Sequence, residues 1–541
     1  MRRRADKENM RQPAGVGELT MIVRAILPTS IAAVVLLSRI AYGQGPNPFE
    51  AADWPIPASA ADAPVLVALQ EQGLELRPPC SDEVFIRRVF IDVIGTLPSP
   101  QEVEAFLGDT SPDKRARLID GLFDREEFSD YQALKWCDIL RVKSEFPIKL
   151  WPNAVQAYHA WVRRAIRDNM PYDRFARELL TSSGSNFRVA PANFYRAVQG
   201  RDPKAIAAAV ALTFMGARFD TWPEAQQADL AAFFSKVAYK PTREWKEEIV
   251  YFDSSSAEPM AVTFPDGTTA TIPANRDPRE VFADWLVAPG NSQFSQAAAN
   301  RAWYWLMGHG IVHEADDIRE GNLPACPELL ALLGKEFAGS GYDTRHLLRL
   351  ILSSRTYQQS SVALDPVPEA ARFAYYTVRR LDAEVLIDAL CWIGGSGEEY
   401  SSPIPEPFTF TPSTQRTIAL ADGSITSRFL ETFGRPARDT GMLSERNSEP
   451  SDAQRMYLIN STEVRQRIEN SPHLSGILDA AGGDRSRLIE DTYMLLLSRH
   501  PTALEQSAAE EYLQSRGSQG RGAFNDLAWA LVNSKEFLCR H

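Results

Sequence analysis

The chain has 541 residues and a formal net charge of −12, with 44% hydrophobic and 24% charged residues. That length exceeds one ordinary core and predicts two to four domains of globular type. The acidic balance excludes a nucleic-acid binder, which needs a basic footprint to displace counterions from phosphate.

Residues 1–43 read as an export signal. Arg2, Arg3, Arg4, Lys7, Arg11 and Arg24 form a basic lead, and residues 25–38 follow as an apolar core. That core matches a signal peptide and falls short of the roughly 20 residues that span a bilayer. Ala41, Tyr42 and Gly43 supply a cleavage site, which puts the mature start at Gln44. The expected location is the periplasm or cell surface, with membrane contact only through an uncleaved signal. The five cysteines show neither C-x-x-C nor C-x-x-C-H spacing, so a thiol redox site, a Cys-rich zinc site and a covalently attached haem are not expected.

Residues 44–80 read as a linker or arm, rich in Pro and Ala up to residue 64. Ser81 is the expected N-cap of a helix over 84–94; Leu97-Pro98-Ser99-Pro100 breaks it, and Ser99 or Pro100 starts the next. Apolar spacing of three and four residues predicts further helices at 112–123, 130–139, 153–168, 172–181 and 204–215. From residue 241 to 275 the texture turns to β, with strands at 249–252 and 261–264 and a Pro265-Asp266-Gly267 turn leading into 268–272. Asp277 opens a second helical stretch reaching residue 393; 400–413 is Pro-rich and irregular, a short β element is expected at 417–426, and the tail over 454–537 is helical. The predicted architecture is mainly α: a helical domain (81–240), a small β insert (241–275), and a second helical domain with a helical C-terminal region (276–541).

The densest chemistry lies in 300–319. His309 and His313 have the i, i+4 spacing that puts two imidazoles on one helix face, and with Asp317 they would hold a divalent metal; no other cofactor is expected. Gly308 and Gly310 flank His309 and weaken a helix there. Asn300, Arg301 and Trp303 suit a carbohydrate platform, the ring stacking on a sugar face and the polar groups reaching hydroxyls; Trp303 equally suits a core. Asp316, Asp317 and Arg319 fit either a ligand contact or an ion-pair node. Arg435, Asp439, Glu445 and Arg446 form a second polar phrase, suited to an anionic or hydroxylated ligand or to a network pinning a long loop, which Arg379, Arg380, Asp382 and Glu384 would join.

The phrases N-R-A-W-Y-W-L-M-G-H-G at 300–310 and G-Y-D-T-R-H-L-L-R-L at 341–350 resemble the DUF1553 domain. R-R-V-F-I-D-V-I-G-T-L-P at 87–98, W-C-D at 136–138 and P-Y-D-R-F-A-R-E-L-L at 171–180 resemble its companion, DUF1549. Both belong to large exported proteins best known from planctomycetes and related bacteria, with no settled activity. Many relatives carry C-x-x-C-H where this chain has residues 217–225, so the haem that the resemblance would imply is not attached here in the usual way. Relatives often have Arg in place of His309, which favours a polar contact over a ligand role. The resemblance, with the expansion of such families in polysaccharide-degrading bacteria, implies glycan binding or processing outside the cytoplasm. The alternatives are a structural or assembly protein of the envelope, and a metal-dependent hydrolase. Expected partners are a polysaccharide or envelope proteins, and no nucleic acid.

Overall fold

The computed structural model describes residues 47–255, 258–362, 373–516 and 520–541. The expected export signal lies outside them. Residues 47–80, within the expected linker or arm, dock onto the first domain. Helix α1 (Asp62–Glu71) buries Val65 and Leu69. Its anchor is the Asp62 carboxylate, which accepts from the Thr356 amide and hydroxyl at 2.9 Å each and from the Arg355 amide at 3.1 Å. Ser59 also donates to it locally, through its amide at 2.7 Å and hydroxyl at 2.9 Å, but the Thr356 groups that dock the helix lie 294 residues away.

Capping chemistry sets the next helices as expected. Ser81 Oγ accepts the Val84 amide and starts α2 (Asp82–Ile94). Ser99 and Glu102 make a reciprocal capping box, with Pro100 first in α3 (Pro100–Gly108). Helices α4 (Lys114–Phe123), α5 (Glu126–Ile139), α6 (Pro152–Arg167) and α7 (Tyr172–Thr181) follow. Helix α8 (Pro203–Val210) passes into a π-turn, Ala211–Met215, closed by Gly216 at φ 60°. Strand β1 (Gly184–Ser185), between α7 and α8, forms a sheet with β2 (Val237–Pro241) and β3 (Glu248–Phe252), which follow α9 (Glu224–Ala232), antiparallel in the order β1-β3-β2. Strand β4 (Met260–Thr263) pairs with β5 (Thr269–Ile272), Val262 opposite Ala270. The insert is β as expected; β2 had no clear alternation to reveal it.

Asp277 caps α10 (Pro278–Leu286); α11 (Ser292–Met307), α12 (Pro327–Gly339) and α13 (Thr344–Leu352) complete this half. Then come β6 (Arg379–Arg380), α14 (Ala383–Gly394) and the C-terminal helices α15 (Asp452–Asn460), α16 (Thr462–Glu469), α17 (Pro472–Ala481), α18 (Arg485–Leu497), α19 (Ala503–Ser515) and α20 (Gly520–Val532). The last strand, β7 (Cys539–Arg540), returns to pair with β6. The β element expected at 417–426 is a 3₁₀ turn (Thr417–Ala419) and a single bridge from Ser401 to Thr426. Its backbone donors are taken: the Asp388 carboxylate accepts the amides of Thr417 and Ile418 at 2.7 and 3.1 Å.

The fold is mainly α, with two apolar cores. The first runs from α1 through the insert and α10–α13, with Trp303 and Leu329 packed among residues of α2 and α5. The second gathers α14 and the C-terminal helices, together with Ile91, Tyr131 and Leu134. The cores therefore part near residue 380, while the change of sequence texture falls at 241–275. Among the described residues no helix is long and apolar enough to cross a membrane.

Candidate functional site

Helix α11 ends at Gly308, whose φ of 84° is left-handed and whose Cβ, were there one, would strike the Arg379 side chain. The chain then folds back over the helix. Asn300 holds this return: Nδ2 donates to Val312 O at 3.1 Å, and Oδ1 accepts the Val312 amide at 2.9 Å. Arg301 donates to the carbonyls of Thr213 and Leu212, at 2.7 and 3.1 Å, covering acceptors of the π-turn. Asp316 accepts from Arg301 at 3.4 Å and, with its other oxygen, from the Leu443 amide at 2.6 Å.

Trp303 is wholly buried, its ring edge-on to Phe373, so it offers no face to a sugar. The metal set also fails to assemble. His309 lies beyond the helix end, which removes the shared face that its spacing to His313 implied; its ring packs at 5.8 Å from that of Phe373. His313 sits on the exposed return, and Asp317 receives Arg319 Nε at 3.0 Å on both oxygens. Among the described residues no three His, Cys, Asp or Glu side chains are grouped to hold a metal.

The second polar phrase enters a buried ion network between the two halves. Arg446 donates to both oxygens of Glu384, at 2.7 and 3.1 Å, and to Asp138 at 2.6 Å. Arg438 meets the other oxygen of Asp138 at 2.8 Å. Arg435 approaches Glu384 at 3.7 Å and donates to Asp422 O. Arg540, from β7, joins Asp92 at 3.0 Å to Asp382 at 2.9 Å. Arg379 donates to the last carbonyls of α11, and Arg380 to those of Phe433 and Asn447. Asp439 and Glu445 do not join the network: Asp439 pairs with Lys143 at 2.6 Å, and Glu445 accepts the amides of Asp439 and Thr440, closing its own loop.

Burial would raise the Asp382 carboxyl, but Arg540, Arg446 and Lys135 outweigh it and hold it well below the usual range. Among the described residues Lys135 makes no ion pair within 4 Å, though its charge acts on Asp382. Its Nζ lies 4.2 Å from the Tyr131 ring centroid and 3.5 Å from Asp92 O, and burial pushes the ammonium down to about 7. Of these residues Arg379, Arg380, Asp382, Glu384, Arg435 and Arg446 stood out in the sequence as polar phrases; Lys135, Arg438 and Arg540 are ordinary there.

A different surface gathers aromatic residues in the open. The Trp151 and Trp245 rings meet at 4.6 Å and 78°, and Phe408 lies 5.6 and 5.4 Å from them. Trp245 is 59% and Phe408 49% exposed, and Phe146 and Phe410 project nearby in sequence at 69% and 72%. Three loops supply the rings. The first is pinned by the Ser144 amide on Asp422 at 2.9 Å and by Arg196 Nη1 on Leu150 O at 3.3 Å. The second joins β2 to β3, tied by Thr242 Oγ1 on Glu247 at 2.7 Å. The third is the Pro-rich run near 400–413, where the Phe408 amide turns back onto Pro405 O at 3.1 Å. Lys149, Trp151 and Lys246 all have positive φ, at 63°, 74° and 62°. Each costs on the order of 1–3 kcal/mol and persists where surrounding structure enforces it, as at ligand clamps.

Two family models match the chain, each described as a protein of unknown function: DUF1549 over residues 60–239 and DUF1553 over 278–513. The chain is a DUF1549–DUF1553 protein. Comparison with curated proteins and with solved structures gave no match. In this DUF1549–DUF1553 protein the ion network joins Asp92, Lys135 and Asp138 of the first domain to Asp382, Glu384, Arg435, Arg438 and Arg446 of the second. The aromatic cluster is likewise composite. Trp151 belongs to DUF1549, Phe408 to DUF1553, and Trp245 to the segment between the two matches. A small cavity of about 30 Å³ lies beside Trp136, Tyr172 and Arg345, room for water-sized guests.

Proposed function

We propose that the protein recognises glycans outside the cytoplasm, and that its platform is the cluster of Trp151, Trp245 and Phe408. One observation carries the reading: three contacting aromatic rings come from three separately anchored loops, Trp245 and Phe408 exposed and Trp151 half-buried beneath them. Large rings cost apolar exposure and are ordinarily buried, so a clustered open set marks an interaction surface. Flat apolar ring faces match the CH faces of pyranoses, and fixed loops reduce the ordering cost of binding. Export rests on the basic and apolar pattern of residues 1–43.

Thermal melting with a panel of oligosaccharides tests the reading. A ligand-dependent rise in Tm that disappears in Trp245→Ala supports it; no rise with any saccharide removes it.

A second reading, an assembly protein of the envelope, draws on the ion network. Arg301, Asp316, Arg435 and Arg446 hold domains and loops together, as a scaffold requires. Such a protein would give a stable macromolecular partner and no response to saccharides.

A further inference from the structure

The ammonium groups beside the rings narrow the ligand. Lys246 Nζ lies 5.2 Å from the Trp151 ring centroid and 5.6 Å from that of Trp245. Lys149 Nζ lies 5.2 Å from the Phe146 ring. Both side chains are exposed, and neither forms an ion pair with a described carboxylate. Acids are present in the same loops without pairing to them. Glu247 is taken by Thr242, Ser185 and Arg188; Glu244 and Glu406 face solvent.

Among the described residues these two lysines are held against rings without an ion pair, although Glu244 and Glu406 share the loops. A lysine kept there by packing alone would lie along the surface with its head in open water. Here each head sits instead beside aromatic rings that attract it, Lys149 against Phe146 and Lys246 between Trp151 and Trp245. A sugar stacked on the open face of Trp245 would bring its ring substituents toward the Lys246 ammonium, where a neutral hydroxymethyl makes one weak hydrogen bond and an anion makes a charge-assisted one.

We infer that the Trp151–Trp245–Phe408 platform binds an acidic saccharide, one bearing carboxylate or sulfate groups, with Lys246 as its anion contact and Lys149, two residues before Trp151 in the same loop, adding positive charge. The inference rests on the glycan reading above and adds the substrate class. The lysines set the preference for acidic over neutral polymers, and the rings supply affinity common to both. Binding therefore weakens with salt, because dissolved ions screen attraction between solvent-exposed charges.

Titration calorimetry on the full chain tests this with four probes: a polyuronate, a sulfated neutral polysaccharide, an unmodified neutral glucan, and vesicles of anionic phospholipid. The expected result is binding of one or both acidic polymers, reduced about tenfold in the Lys149→Gln/Lys246→Gln double variant. Which of the two binds identifies carboxylate or sulfate as the anion. Neutral glucan bound as well as the acidic polymers, with no loss in the lysine variant, overturns the acidic preference and leaves the glycan reading intact. Binding to none of the polysaccharides overturns both. Tight binding to anionic vesicles alone overturns both in favour of a lipid surface. Circular dichroism of the lysine variant checks that its fold is unchanged, and Lys246→Arg, which keeps the charge, should retain most of the affinity.

Discussion

Arg446 and Asp138 lie 308 positions apart in the chain, and Nη2 of the one donates to Oδ2 of the other at 2.6 Å. With Glu384 on its other edge, Arg446 links the two family domains through charges that are largely out of water. Among the described residues, removing Arg446 leaves Asp138 to Arg438 alone and Glu384, fully buried, with only Arg435 at 3.7 Å.

Arg446→Ala should therefore destabilise the protein by about 3–5 kcal/mol in denaturant unfolding. Arg446→Lys should rescue only part of this, because a single ammonium cannot reproduce the forked contacts to Glu384 and Asp138. A loss below about 0.5 kcal/mol, the range of ordinary surface substitutions, would show that the network does not hold the domains.

Lys135 predicts a pH dependence of definite sign. Burial comes first among the causes, with Arg540 and Arg379 adding to it and Asp382 and Asp92 opposing; the folded value is about 7 against 10.5 when exposed. Above pH 7 the unfolded chain holds a proton that the folded chain does not. The destabilisation is complete below about pH 7 and is relieved as pH rises toward 10.5. Stability should climb by up to about 1.4 kcal/mol per pH unit. The rise is cleanest below about pH 8.5, before thiols titrate. Lys135→Met should be more stable at pH 7 and lose that slope; an unchanged slope would contradict the assignment.

Asn300 predicts a loop effect without a ligand effect. Asn300→Ala leaves the Val312 amide and carbonyl without their buried partner, at a cost of about 1–3 kcal/mol. His313→Ala, on the exposed return, should change stability by less than about 0.5 kcal/mol. Elemental analysis should show the same metal content in that variant and the parent. A stoichiometric metal lost with His313 would restore the hydrolase reading.

Local chemistry was legible in the sequence. The Ser81 cap, the Ser99–Glu102 box and the Asp277 cap sit within three residues of what they satisfy, so their helices follow from short windows. Asn300, Arg301 and Asp316 stood out as polar residues among apolar ones, but their partners, Val312, Thr213 and Leu443, could not be named from residue type. Trp303 and Trp245 show the limit most clearly. The first, in a conspicuous aromatic run, is wholly buried; the second, alone in a charged loop, is open and clustered with rings from two distant loops. Exposure depends on which segments meet, and neither periodicity nor composition records that for loops.

The two tryptophans should accordingly behave in opposite ways. Trp303→Ala should cost about 3–5 kcal/mol of stability through the cavity it leaves. Trp245→Ala should fold normally and lose only recognition.

The most direct test of the account is affinity electrophoresis of the parent chain, Trp245→Ala and Phe408→Ala through native gels containing individual polysaccharides. The account predicts retardation of the parent in at least one gel and free migration of both variants. Equal retardation of all three, or of none in any gel, would contradict it.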